Sequence, residues 1–154
     1  MADLVIGRWR QLELLDALVE VGCSRMSSFF LTQAHCPSIA VLGAPSCGKT
    51  HTLRRFVEWK GIPTAWVHCK ECLSTKSLFT RIVTAIASAT AQTWDGPCGN
   101  PNELTLAIDS LLTGQESLLL VLDALDVTLE PLPPTFLAVL CKLRYLVRGW
   151  RELC

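Results

Sequence analysis

One short segment of the chain combines the residue types that bind phosphate groups in proteins. It consists, in order, of Gly43, Ala44, Pro45, Ser46, Cys47, Gly48, Lys49 and Thr50. Glycines near both ends let the backbone come close to a ligand, so that several N–H groups can point at phosphate oxygens. The Lys49 ammonium would contact the β- and γ-phosphates, and the Thr50 hydroxyl would ligate Mg²⁺. The spacing therefore predicts a loop that binds ATP together with Mg²⁺.

A loop of this kind joins a strand to a helix, and its flanking residues fit that role. The apolar run at residues 38–42 predicts a strand, and residues 49–60 predict a helix that ends at Gly61, with Pro63 just beyond. The amino end of this helix would add a field that favours anions. A glycine turn that merely precedes a helix is the other interpretation, and the complete octet in this setting argues against it.

A second apolar run has a carboxylate at its end. Residues 118–122 predict a strand buried on both sides, and Asp123 follows it directly. At the carboxyl edge of a parallel sheet, this carboxylate would lie beside the magnesium ion, so Asp123 joins Thr50 as a predicted metal ligand. Hydrolysis also needs a group that polarises the attacking water. The next residue is Ala124, whose methyl group cannot do this, and Asp126 begins a predicted turn, so no catalytic residue is assigned.

The remaining sequence alternates short apolar strands with amphipathic helices. Further helices are predicted at residues 8–21, 75–91, 103–112 and 135–148, a strand at 64–68 and an exposed loop at 95–101. Ser74 or Thr75 can cap the helix at 75–91. The apolar face of that helix comprises Leu78, Phe79, Ile82, Val83 and Ile86. The alternation is typical of an α/β fold in which helices cover both faces of a parallel sheet.

Length, composition and net charge restrict the size of the fold and the kinds of partner that the chain can bind. The 154 residues, 50% of them hydrophobic, are enough for one sizeable core and predict a single domain at 1–154. Lysine plus arginine equals aspartate plus glutamate at 14 each, so no net charge attracts the chain to nucleic acid or to an anionic membrane. No apolar run is long enough to span a membrane, and the first residues lack a secretory pattern. We therefore expect a soluble, intracellular chain.

The cysteines of such a chain are expected to be thiols. There are eight of them, and a loop that uses cellular ATP belongs in a reducing compartment. Cys69 and Cys72 have the spacing of zinc ligands, but no second pair completes a four-ligand site. The prediction for this pair is a turn at the end of a strand, with half-buried thiols.

Three segments together with the loop resemble one known family. Residues 67–72, Val-His-Cys-Lys-Glu-Cys, are similar to a valine-asparagine-cysteine-x-glutamate-cysteine stretch, with His68 in place of the asparagine. Residues 5–8, Val-Ile-Gly-Arg, are similar to the segment that packs on adenine, although the family usually continues with glutamate and this chain has Trp9. Residues 123–126, Asp-Ala-Leu-Asp, resemble an altered turn without the water-activating glutamate. The chain thus resembles the AAA+ subunits of the eukaryotic origin recognition complex, and within them the subunit 5 family.

This resemblance implies a P-loop NTPase fold of the AAA+ type and an ATP-binding, non-hydrolysing subunit that acts in the initiation of DNA replication. Val5 and Ile6 would contact the adenine, in addition to the loop and Asp123. The implied partners are the other subunits of the complex and, through the complex, origin DNA, in the nucleus and without a membrane.

The family fold continues with a sensor strand, a helical lid and a winged-helix region. The resemblance therefore implies that residues 1–154 are a partial AAA+ domain, a fragment or an alternative product, of marginal stability alone. The absent strand would leave a gap in the sheet between the strand at 38–42 and the strand that ends at Asp123.

Two other functions fit the same loop. An active P-loop enzyme, such as a small-molecule or nucleotide kinase, would suit the short chain. Such kinases need an arginine-bearing lid, however, and the arginines at 54, 55, 81, 144, 148 and 151 show no clustering of that kind. The ATP-binding domain of a signalling switch is the third possibility, and the resemblance of residues 67–72 argues against it.

Overall fold

A computed structural model describes residues 9–23, 39–113, 118–125 and 136 of the chain. The elements in these residues are helix α1 Trp9–Cys23, helix α2 Lys49–Lys60, strand β1 Thr64–His68, a 3-10 turn Cys69–Glu71, helix α3 Thr75–Ala89, helix α4 Pro101–Leu111 and strand β2 Leu119–Asp123. The described residues up to Gly61 form one compact unit, and those from Ile62 onward form another. Each unit is described by itself.

The first unit contains the loop and two helices. Leu12 of α1 and Phe56 of α2 are buried together, and the Lys60 ammonium pairs with the Asp16 carboxylate. Helix α2 has the predicted bounds 49–60, because Gly61 adopts φ 63° and donates its N–H to the Val57 carbonyl, a conformation that glycine takes without steric cost. Helix α1 was predicted at 8–21 and lies at Trp9–Cys23.

The second unit is built on a pair of parallel strands. Thr64 lies opposite Leu119, and the register continues to His68 opposite Asp123. Alternate residues of a strand face opposite sides of the sheet. Ala65 and Val67 of β1 are accordingly buried in the core, whereas Trp66 and His68 are only partly buried. The strand at 64–68 is confirmed.

Helices α3 and α4 complete that core, and side chains cap both of them. The Ser74 hydroxyl accepts a hydrogen bond from the Ser77 N–H at 3.2 Å, and the Asn100 side-chain oxygen accepts one from the Glu103 N–H at 2.9 Å. The predicted apolar face of α3 is confirmed, since all five of its residues are buried: Leu78, Phe79, Ile82, Val83 and Ile86. Helix α4 starts two residues before the predicted position 103, because Pro101 suits the first helical turn.

Two predictions about strands are wrong. Residues 39–42, the described part of the strand predicted at 38–42, are irregular, and the Leu42 side chain is 90% exposed. A strand forms only where a neighbour completes its hydrogen-bond ladder, and in the described residues β1 and β2 pair only with each other. Strand β2 is not buried on both sides, because Val121 is its one buried residue and the other four are half-buried.

The class is therefore α/β, with a two-stranded parallel sheet and helices in the part of the chain that is described. Of the helix predicted at 135–148, only Phe136 is described. It is helical and buried, and its ring centroid lies 5.4 Å from that of Phe79. The remaining residues of that helix lie outside the described ranges. Within those ranges, no helix has both the length and the apolar character that a membrane span requires.

Candidate functional site

The predicted phosphate loop forms a tight turn at the start of α2. Gly43, Ser46 and Gly48 have φ values of 156°, 58° and 84°. The Cys47 N–H points back to the Ala44 carbonyl at 3.4 Å. Left-handed residues in a turn can direct successive N–H groups toward one point, as they do in anion-binding concavities. The loop is largely exposed to solvent, and residues 47, 49 and 50 are half-buried.

Gly43 closes the turn because it has no side chain. A Cβ atom at this position would lie 3.2 Å from the Cys47 sulfur and 3.6 Å from Cδ of Lys49. The first contact is tighter than ordinary van der Waals packing, so a larger residue would push the loop open. The two glycines predicted to shape the loop therefore have separate roles, Gly43 in close packing and Gly48 in the left-handed turn into the helix.

The Lys49 ammonium lies across the loop. Its Nζ donates hydrogen bonds to the carbonyl oxygens of Gly43 at 2.8 Å and Ala44 at 2.9 Å, and it lies 3.9 Å from the Cys47 sulfur. The side chain thus places its positive charge over the turn rather than in bulk solvent. A cation in this position can interact with an anion held by the loop amides.

The amino end of α2 has no side-chain cap. Gly48 is the residue before the helix and makes no capping hydrogen bond, and the first turn contains no acidic residue. Further into the helix, the Thr52 N–H and hydroxyl both donate to the Gly48 carbonyl at 2.9 Å. The first N–H groups of a helix need acceptors from outside the helix. An anion bound at a helix start accepts from such groups, and the helix dipole there also favours negative charge.

Asp123 ends β2 and belongs to the second unit. Its Oδ2 lies 3.4 Å from Nδ1 of His68, with the side chains 21% and 44% exposed. Sequence reasoning missed this contact. The signal that could have found it is that both residues end apolar strands, so a parallel register with aligned ends puts them side by side. Ala124 follows with φ 57°, a left-handed conformation that is unusual for a residue with a Cβ.

Cys69 and Cys72 are free thiols, as predicted, on a turn that directly follows β1. Both are fully buried rather than half-buried, because the turn packs into the core of α3 and α4. Burial, with smaller contributions from Cys72 and Asp123, raises the pKa of Cys69 to about 12. Burial also raises the pKa of Cys72, against the opposing effect of Arg81. A thiol that resists ionisation is a poor nucleophile and a poor metal ligand.

The structure brings residues 43–50 of the predicted site together in one turn. Val5 and Ile6 lie outside the described residues, as does Asp126. The Thr50 hydroxyl and the Asp123 carboxylate are hard oxygen donors of the kind that Mg²⁺ prefers. No group of three or more His, Cys, Asp or Glu side chains within the described ranges could hold a metal ion by itself. Compared with models of protein families, with curated proteins and with solved structures, the chain gives no significant match.

Proposed function

We propose that this chain binds a nucleoside triphosphate, ATP, through the loop at residues 43–50, and that its fold is that of a P-loop NTPase of the AAA+ type. The start of α2 is the observation that carries the proposal. It combines a glycine instead of a side-chain cap with a lysine ammonium held over the turn. A loop that served only to connect two elements would gain stability from a capping side chain, as α3 and α4 do.

Magnesium is part of the proposal as the partner of the triphosphate. The Thr50 hydroxyl would hold it, and the Asp123 carboxylate is proposed as a further ligand from the sequence alone. The ion would neutralise charge on the phosphate oxygens when bound.

We propose binding without hydrolysis. Water attack on the γ-phosphate needs a positioned base or water-orienting group. The residue after Asp123 has only a methyl group, and its φ of 57° lies in the left-handed region, which apart from glycine only residues such as Asn and Asp adopt with any frequency. The bound nucleotide would then act as a stabilising ligand. A ligand at a hundred to a thousand times its Kd contributes roughly 3 to 4 kcal/mol to the state that binds it.

The cellular role is proposed from sequence resemblance alone. By that resemblance the chain would be an AAA+ subunit of the origin recognition complex in the nucleus, with the other subunits as partners and origin DNA contacted through the complex. In this setting, ATP would stabilise the assembled form. Residues 67–72 and the turn after Asp123 are the segments that favour this role over an active kinase.

The test is ATP binding by the full chain, measured by the fluorescence of a labelled ATP analogue. Lys49→Ala should weaken binding by about 10- to 100-fold, because a hydrogen bond to a charged group contributes roughly 1.5 to 3 kcal/mol. Lys76→Ala is the matched control, since Lys76 also lies in the first turn of a helix, but one that Ser74 caps. It should bind ATP as the wild type does. Equal affinities of all three proteins would contradict the proposed loop function.

Two further measurements address hydrolysis and assembly. Phosphate release from ATP should stay at the background rate, and rapid release that Lys49→Ala abolishes would contradict the non-hydrolysing role. Transfer of phosphate to a panel of small acceptors would favour the kinase instead. Co-purification of the other origin recognition complex subunits from nuclear extract would support the proposed assembly, and their absence would count against it.

A further inference from the structure

A run of apolar residues lies exposed just before the loop at 43–50. This apolar segment consists of Ile39, Ala40, Val41 and Leu42, all of which are exposed, and the Leu42 side chain is 90% exposed. Its backbone belongs to no helix or strand, although isoleucine and valine favour strands. Folded proteins rarely leave such a run in water unless it binds something. The apolar segment is therefore a candidate for an interaction surface.

Strand β2 has the composition of an interior strand. Its residues 119–122 are all apolar, so both faces of the strand are apolar. Among the described residues, however, β2 pairs only with β1, and its other edge has no neighbouring strand there. Proteins usually protect an open edge with charged residues or with proline. Residues 119–122 contain neither, so this edge is suited to pairing with a further strand.

The burial of β2 differs from that of its neighbour in the way that an open edge predicts. Leu120 lies opposite Ala65, and Leu122 lies opposite Val67. All four side chains pack against the same core, yet the two residues of β1 are buried and the two leucines are only half-buried. Leu119, on the opposite face of β2, is half-buried as well. A strand added along this edge would cover more of these leucines and stabilise the sheet.

We propose that the apolar segment of one chain adds to the open edge of β2 in a second copy of this chain, so that two copies form a dimer. In the described residues of a single chain, the segment is irregular and does not pair with β2. Extended, residues 39–42 would span about 13 Å, which fits within the roughly 17 Å of β2. The backbone of the segment would supply the hydrogen bonds of the new ladder.

The second copy is the partner because one chain carries both halves of the contact. Each copy offers one apolar segment and one open edge, so two copies can exchange segments reciprocally. Their charges do not oppose this, since lysine plus arginine equals aspartate plus glutamate at 14 each. Proteins with a net charge near zero associate more readily than strongly charged ones.

The mass of the full chain in solution is the first test. Sedimentation velocity at increasing protein concentration, without nucleotide, should show a species of twice the chain mass. A monomer at every concentration would overturn the inference, because it would mean that the segment stays unpaired, pairs within its own chain or needs a different protein.

Variants of the apolar segment are the second test. Val41→Lys should abolish the dimer, because the lysine ammonium would have to lose water against an apolar strand. Val41→Ile keeps a strand-forming apolar side chain and should keep the dimer. Leu106→Lys is the matched control, since Leu106 is an exposed leucine of α4, and it should also keep the dimer. A dimer that survives in Val41→Lys, or one that Leu106→Lys also abolishes, would overturn the inference.

Amide hydrogen exchange of the wild type at low and high concentration is the third test, and it does not depend on the folding of any variant. In the dimer, exchange should slow at residues 39–42 and at those amides of 119–122 that do not bond to β1. Exchange at Asp95 and Gly96, in the exposed loop before α4, should not change. A dimer in which residues 39–42 exchange as fast as in the monomer would overturn the inference. None of these measurements requires ATP, so they are independent of the proposed function.

Discussion

Helices α2 and α4 both follow a glycine-containing loop, yet their first turns differ in almost every polar group. At α4, Asn100 accepts from the Glu103 N–H at 2.9 Å, and the Glu103 carboxylate accepts from the Gly99 N–H at 2.6 Å. At α2, the residue before the helix is Gly48, no side chain caps the first turn, and that turn begins with Lys49. Helix α4 begins with two side-chain hydrogen bonds to backbone N–H groups, whereas α2 begins after a glycine that has no side-chain cap and carries a lysine at its first position. Helix α4 therefore starts in a way that stabilises the fold, whereas α2 starts in a way that suits an anionic ligand.

The largest expected effect on the free energy of unfolding comes from a change to a buried residue of α4. Leu104→Ala should lower the free energy of unfolding by about 2 to 5 kcal/mol, because the side chain is 0% exposed and its removal leaves a cavity. Leu106→Ala, on the same helix but 65% exposed, is the matched control and should change stability little. Urea unfolding of both variants measures the difference. Similar losses in the two proteins would contradict the assignment of the core.

The buried thiol should make stability depend on pH in the alkaline range. The pKa of Cys69 is raised from its ordinary value of 9.0 to about 12. Between these values the unfolded chain loses the thiol proton and the folded chain keeps it, so stability is full below pH 9 and falls above it. The expected loss is about 1.4 kcal/mol per pH unit.

Urea unfolding of the wild type and of Cys69→Ala, at intervals from pH 8 to pH 10.5, measures this effect. The variant should lose stability less steeply above pH 9 than the wild type does. Parallel curves for the two proteins would show that another group causes the alkaline loss.

The cap of α4 gives the next effect in size, and its removal tests the difference between the starts of α2 and α4. Asn100→Ala should lower the free energy of unfolding by about 1 kcal/mol, because the Glu103 N–H loses its acceptor. Asn100→Gly is the control and should cost only a few tenths of a kcal/mol. Neither change should alter ATP affinity. A loss of ATP binding in Asn100→Ala would contradict the division between a stabilising start and a ligand-binding start.

The smallest expected effect concerns the residue after Asp123. Ala124→Gly should raise stability by about 0.5 kcal/mol, since relief of the left-handed Cβ penalty exceeds the added freedom of the unfolded chain. Ala85→Gly, in the middle of α3, should have the opposite sign and cost up to about 1 kcal/mol. Thermal unfolding of the two variants compares them. If both lower the midpoint, the φ of 57° at Ala124 is not strained.

Local signals in the sequence were sufficient for much of this fold. The bounds of α2 follow from Gly61 and Pro63, and the buried face of α3 follows from its helical spacing. The prediction of a strand at 38–42 rested on the apolar character of these residues. It was wrong because a strand also needs a neighbouring strand, which depends on distant parts of the chain. The burial of β2 was overestimated for the same reason.

In the candidate site, too, features set by local sequence were predictable and features set by long-range packing were not. The order of residues 43–50 was enough to predict the turn, because glycine conformation and lysine reach are local properties. The contact between His68 and Asp123 depends on register, and register is set by the packing of two strands that are far apart in sequence. The left-handed conformation of Ala124 could not be predicted either, since alanine rarely adopts it.

The two hydrogen bonds from Lys49 to the Gly43 and Ala44 carbonyls have a consequence for selectivity. Any incoming anion has to replace these internal acceptors before it gains the ammonium for itself. A dense polyphosphate tail can compensate for that exchange through several oxygens at once, whereas a monophosphate or a sulfate offers few. Affinity should therefore decline steeply from a triphosphate to a monophosphate. The hydrogen-bonded Lys49 would in this way select for ligands that carry several negative charges.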